Sequence, residues 1–158
     1  MSVRLRLGTS NAALDAAFDP LVARVLAHRG INDPAQVDYQ LKKLLPYHQL
    51  KGIDTAVTLL VQALEAQANI LIVGDFDCDG ATSTSLALLA LGAMGAKNVS
   101  YLVPNRFDFG YGLSTALVDY AKAIEPDLIV TVDNGIASHE GVARAHELGI
   151  KVLVTDHH

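Results

Sequence analysis

From Asn69 onward, short and nearly continuous apolar runs rich in β-branched residues recur at residues 70–73, 99–103, 128–132 and 152–155. Stretches with helical character, at residues 82–94, 114–124 and 138–148, separate them. A strand that is apolar on both faces has to be covered on both, and strand–helix alternation gives a parallel sheet between helical layers. Right-handed crossovers then bring every strand's C-terminal end to one edge, where open sheets of this kind bind ligands.

The first third reads differently. Asp19-Pro20 opens a helix with Leu21, Val22, Val25 and Leu26 on one face, ending near Gly30. Asp33-Pro34 opens a second that stops at Leu45-Pro46, and Asp54 is placed to cap a third carrying Val57, Leu60, Val61 and Leu64. The expected fold class is α/β: an incomplete, Rossmann-like parallel sheet with helices on both faces (residues 69–158), preceded by a helical N-terminal segment (residues 1–68). With 51% hydrophobic residues the chain can bury a real core. No apolar run is long enough for a signal peptide or a bilayer span, so a cytoplasmic location is expected.

The chemistry gathers at the strand exits. The first strand runs into Gly74-Asp75-Phe76-Asp77-Cys78-Asp79-Gly80, the third into Asp133-Asn134-Gly135, and the fourth into Asp156-His157-His158. A lone Asp after a strand is ordinarily a helix cap, and Asp79 or Asp133 taken singly reads that way. Carboxylates crowded on one sheet edge repel each other, however, and call for a cation. Carboxylate and imidazole donors suit a hard-to-borderline ion such as Mn²⁺ or Mg²⁺. The second strand exits into Pro104-Asn105-Arg106-Phe107-Asp108-Phe109-Gly110-Tyr111-Gly112-Leu113-Ser114. There a planar guanidinium and backbone N–H groups near a helix start suit phosphate oxygens, with Asn105, Arg106, Gly110, Gly112 and Ser114 as candidate substrate contacts. Ser114 also reads as a plain helix cap.

Two competing motifs fail. Asp75-x-Asp77-x-Asp79-Gly80 opens like an EF-hand loop, but its twelfth position is Leu86 and a strand precedes it. Gly110-Tyr111-Gly112 has Thr115 where a dinucleotide fingerprint needs its third glycine. The single cysteine, Cys78, excludes an internal disulfide, and with no basic neighbour in sequence it reads as a packing thiol. Of His28, His48, His139 and His146, only His139 falls near a motif, and it reads as a surface or helix-start residue.

Charge neither supports nor excludes a phosphodiester substrate. The net charge is −5, with +1 over residues 1–68 and −6 over residues 69–158, where bound divalent cations would offset the strand-end acids.

The segments VGDFDCDGATSTSLALL, YLVPNRFDFGYGLS, LIVTVDNGIASHEGV and LGIKVLVTDHH, in this order, resemble the DHH phosphoesterase superfamily, named for the triplet seen here as Asp156-His157-His158. Together with LLPYHQLKGIDTAV they are most similar to its branch of single-stranded-DNA exonucleases. The resemblance implies a metal-dependent 5′-to-3′ exonuclease that uses two Mn²⁺ or Mg²⁺ ions and releases 5′-mononucleotides in DNA repair and recombination. It implies Asp75, Asp77, Asp79, Asp133 and His157 as metal ligands, with Asp133 bridging, and Asp79, Asp133 and His158 as catalytic residues. His158 would face the scissile phosphate. Many relatives carry a histidine where this chain has Val73, and Asp75 would take over that role. Single-stranded DNA is the implied partner, with a single-strand-binding protein and a helicase beside it and no membrane.

The superfamily's sheet continues past the triplet, with a further metal-ligand Asp and further domains. The 158 residues are therefore expected to be a truncated sequence, inactive or very weakly active alone. Two alternatives stay open: a DHH phosphoesterase acting on short oligonucleotides, cyclic dinucleotides or pyrophosphate, and a non-catalytic replication scaffold.

Overall fold

The computed structural model describes residues 11–158, which fall into two compact units divided between Leu50 and Lys51. In the first, α1 (Ala12–Ala17) is capped by Asn11 and α2 (Pro20–His28) by Asp19 with Pro20 in its first turn. The second expected helix does not form. Asp33 and Gln36 make a full capping box, but only 3₁₀ turns follow, at Pro34–Val37, Leu41–Lys43 and Tyr47–Gln49. Leu41, Leu44 and Leu45 are 73–83% exposed, so among the described residues little burial is gained by this apolar stripe to offset helix nucleation. Leu45 also precedes Pro46, which disfavours the helical backbone there.

The second unit begins with α3 (Ile53–Glu65). Its N-cap is Gly52, at φ 75°, and not Asp54, which sits in the first turn instead. There its charge still favours the helix dipole. Four strands follow, β1 (Ile70–Val73), β2 (Val99–Leu102), β3 (Leu128–Val132) and β4 (Lys151–Thr155), all parallel in the order β2-β1-β3-β4. The connections carry α4 (Cys78–Ala93), the short α5 (Arg106–Phe109), α6 (Thr115–Ala121) and α7 (His139–Glu147).

Every residue of β1 and β3 is buried, which is why both read as unbroken apolar runs. Alternate residues serve opposite faces. Ile70, Ile72, Leu128 and Val130 pack with Ala63 of α3 and Leu91 of α4, whereas Leu71, Val73 and Ile129 pack with Leu117, Val118 and Ala121 of α6 and Ala145 of α7. The chain moves from β1 outward to β2, then crosses back over β1 to reach β3. With right-handed crossovers this reversal puts α4 and α6 on opposite faces and opens a crevice between the C-terminal ends of β1 and β3.

Candidate active site

The β1 exit and the start of α4 are pressed together. A Cβ on Gly80 would lie 2.3 Å from the Asp75 carbonyl oxygen, so only glycine lets the helix come this close. Asp77 is the N-cap of α4, its Oδ1 accepting from the Gly80 N–H at 3.0 Å. That bond is the main reason its carboxyl titrates below the usual range, against some burial. Asp79 occupies the first turn of α4. Asp75 is 6% exposed; its Oδ1 accepts from the Phe76 N–H at 2.8 Å and its Oδ2 from Arg106 Nη2 at 3.1 Å.

Asp133, at the β3 exit, has φ 62°, a left-handed conformation that Asp tolerates better than most residues. Next to it Asn134 is 1% exposed, and its amide donates to the carbonyls of Val73 (3.1 Å) and Val132 (2.9 Å). It thereby pins the ends of β1 and β3 together. Asp133 Oδ1 lies 2.8 Å from His157 Nε2. Ligand atoms of Asp133, His157 and His158 all fall within 4.8 Å of one another.

At the β4 exit Asp156 is the hub. Its Oδ2 accepts from the Ile136 N–H at 2.9 Å; its Oδ1 faces the N–H groups of His157 (2.7 Å) and His158 (3.1 Å) and His158 Nδ1 (2.6 Å). Burial alone would push this carboxyl up, but the Ile136 N–H, the His158 ring and the two histidine N–H groups outweigh it and bring it down to about 2. The same bond raises His158 above the ordinary imidazole value.

Arg106 connects these exits to the loop after β2. Its guanidinium stands 4.1 Å from the Phe76 ring centroid and 5.0 Å from that of Tyr111. The Tyr111 hydroxyl donates toward the Asp133 carbonyl at 3.4 Å, and burial, then the nearby Asp156, Asp75 and Asp133 charges, raise its pKa. A cavity of about 680 Å³ opens here, lined by Asp75, Asp77, Arg106, Tyr111, Ser114, His139, Asp156 and His158 among others. Asp79, Asp133 and His157 line a second of about 270 Å³, which shares Asp156 with the first.

The candidate acids and histidines are thus brought to one sheet edge, with Arg106 and Ser114 beside them. Apart from Arg106, the loop candidates also have structural occupations. Asn105 caps α5, accepting from the Phe107 N–H at 3.1 Å and donating to Asp108 at 2.8 Å. Ser114 caps α6 while still lining the larger cavity. Gly110 and Gly112 take φ 77° and 74°, and a Cβ on Gly112 would meet Ser138 Oγ at 2.8 Å. The Cys78 thiol does not pack; it is exposed at the start of α4. Sequence reading gave Asn134 and Tyr111 no role and took Asp156 only as one of the strand-end acids; among their partners Val73, His158 and Ile136 lie 61, 47 and 20 residues away.

The sequence profile of the DHH family, N-terminal domain, matches residues 69–158. The chain belongs to the DHH family. Among relatives of this DHH-family chain is the single-stranded-DNA-specific exonuclease RecJ of Salmonella typhimurium, 53% identical over 156 residues, which cover 99% of this chain and 27% of that protein. RecJ of Escherichia coli K12 is 49% identical across all 158 residues, again 27% of its length. A crystal structure of exonuclease RecJ bound to manganese superposes with a TM-score of 0.64 at 39% identity, covering 72% of this chain and 28% of that one. RecJ in complex with Mn²⁺ from Thermus thermophilus gives 0.62 at 33% identity, covering 93% and 20%. The DHH-family chain spans about a quarter of the length of the curated relatives it matches. None of its helices among the described residues is long and apolar enough to cross a membrane.

Proposed function

We propose that this DHH-family chain supplies the metal-binding half of a 5′-to-3′ exonuclease that degrades single-stranded DNA to 5′-mononucleotides. The observation that carries the proposal is the convergence of acids and histidines from three strand exits beside Arg106, in a chain about half identical to two RecJ exonucleases along almost its whole length.

The residues fit a divalent cation. Asp133 is drawn together with His157 and His158, while Arg106 is the single guanidinium or ammonium group among the described residues lining the larger cavity. So many acids around one cation are stabilised by more positive charge, and oxygen-plus-imidazole donors match Mn²⁺ or Mg²⁺. Asp77, Asp79, Asp133 and His157 would hold two such ions, with Asp75 adjoining. When bound, such ions lower the pKa of water and neutralise phosphate charge.

The chain's own groups do the rest. Arg106 is steadied by Asp75 and by the rings of Phe76 and Tyr111, so its remaining N–H groups can meet a phosphate oxygen in a fixed orientation. His158 borders the same cavity and, acting as a donor, would stabilise charge developing on the phosphate. Ser114 and the backbone of the Gly110–Gly112 turn would receive neighbouring phosphates. A substrate with a free single-stranded 5′ end has to be exposed by other proteins, which makes a helicase and a single-strand-binding protein natural partners. The test is a comparison of a long single strand, a dinucleotide and pyrophosphate as substrates for the complete open reading frame. Preference for the long strand is expected; preference for either small substrate would assign the chain to another DHH phosphoesterase activity.

A further inference from the structure

We infer that Asp156 is a positioning residue that fixes the tautomer and orientation of His158, and that it works through this histidine and not as a metal ligand. The inference rests on the exonuclease reading only where catalysis is measured.

Asp156 has a side chain 2% exposed and four donors directed at its two oxygens. A carboxylate has no proton to give, so the 2.6 Å contact with His158 requires that Nδ1 carry the hydrogen. Nε2 is then the ring nitrogen left for other partners. The Tyr111 hydroxyl, 3.4 Å from Nδ1, finds that atom already committed and instead donates to the Asp133 carbonyl. The His157 ring stacks on that of His158 with centroids 4.5 Å apart. The second Asp156 oxygen holds Ile136, so one buried anion ties the β3 exit to the β4 exit and to the imidazole at once.

Both oxygens accept, and this makes Asp156→Asn informative. An amide offers one acceptor and two donors. If its oxygen stays with the histidine backbone N–H groups and Nδ1, its NH₂ opposes the Ile136 N–H. If it turns over, the NH₂ faces Nδ1 and drives the proton to Nε2. A wrong imidazole tautomer can forfeit the whole general acid–base contribution of the ring, a factor on the order of 10²–10⁴ in kcat.

The experiment has two arms. In histidine-selectively ¹⁵N-labelled protein, long-range ¹H–¹⁵N spectra of His158, assigned with His158→Gln, are expected to show the Nδ1–H form. Asp156→Asn should move the resonance toward the Nε2–H form. An Nε2–H pattern in the wild-type protein would overturn the inference whatever the enzyme does, and this arm survives a failure of Asp156→Asn to fold. In the complete protein, Asp156→Asn should lower kcat on a single-stranded oligonucleotide at least 100-fold, with Mn²⁺ affinity changed less than threefold. In a His158→Gln background the same substitution should cost less than threefold. Equal losses in both backgrounds, or lost Mn²⁺ binding, would show that Asp156 acts independently of His158. Absence of cleavage by the wild-type protein would sink the exonuclease reading and leave the spectroscopic arm to decide this one.

Discussion

Alanine at Gly80 and alanine at Gly92 make the same chemical change in one helix, and they are expected to move stability in opposite directions. Gly92 is an exposed residue near the end of α4, and a Cβ added there would meet nothing within 4 Å, so the methyl only removes backbone freedom from the unfolded chain. So close to a helix end, that gains about 0.5 kcal/mol. At Gly80 the Cβ would stand 2.3, 2.5 and 2.7 Å from the carbonyl oxygen, carbonyl carbon and Cα of Asp75. These are main-chain atoms that no side-chain rotamer can move aside, and unstrained contacts need about 3.5 Å. The first turn of α4 must therefore retreat by roughly 1 Å, and the cost belongs at the upper end of overpacking, about 3 kcal/mol. For a chain of this size that is a fall in Tm of about 6–12 °C for Gly80→Ala, against a rise of about 1–2 °C for Gly92→Ala. Thermal unfolding followed by circular dichroism measures both. A Gly80→Ala protein melting within about 1 °C of wild type would refute the argument that glycine is what seats α4 on the β1 exit.

Asn134→Ala should cost about 2 kcal/mol in urea unfolding, because the Val73 and Val132 carbonyls lose a buried donor; a change under about 0.5 kcal/mol would mean that water replaces the amide freely. The Asp156 carboxyl, held at about 2 against an ordinary 3.8, contributes stability that is present above about pH 4 and lost as pH falls toward 2. That contribution is about 2 kcal/mol, and Asp156→Asn should flatten the acid limb of the stability curve by this amount. An unchanged slope between pH 4 and 2 would contradict it. His158 has the opposite sign: its raised pKa adds stability below the unfolded value that disappears as pH rises through the folded one. Arg106→Lys should raise KM for single-stranded DNA at least tenfold, since an ammonium cannot reproduce the planar stack on Phe76 together with the Asp75 bond; a KM within twofold of wild type would argue against an oriented guanidinium.

The sheet was legible because β1 and β3, buried on both faces, leave a continuous apolar signal, and because each strand exit carries its polar residues in a tight cluster. The helix expected after Asp33-Pro34 shows where local signals stop being sufficient. Its capping box forms, yet Leu41, Leu44 and Leu45 stay largely exposed among the described residues, and capping alone does not propagate a helix. Within the site, residue types pointed to the metal-binding chemistry, but the division of labour did not show. Asp77 rather than Asp79 caps α4, Asn105 spends its amide on α5, and Asp133 adopts a left-handed backbone that only the folded turn reveals. Tyr111 and His158 are 47 residues apart, and no pattern in the chain announces that their rings meet edge to face.

The central claim is that the acids and histidines of these strand exits serve phosphodiester hydrolysis from a 5′ end. Its most direct test gives the complete open reading frame Mn²⁺ and a single-stranded oligonucleotide blocked at either the 5′ or the 3′ terminus, beside an Asp133→Ala control. Release of 5′-mononucleotides that requires a free 5′ end and is abolished by Asp133→Ala is the predicted result. Cleavage indifferent to the 5′ block, or no cleavage by a folded protein that binds Mn²⁺, would contradict it.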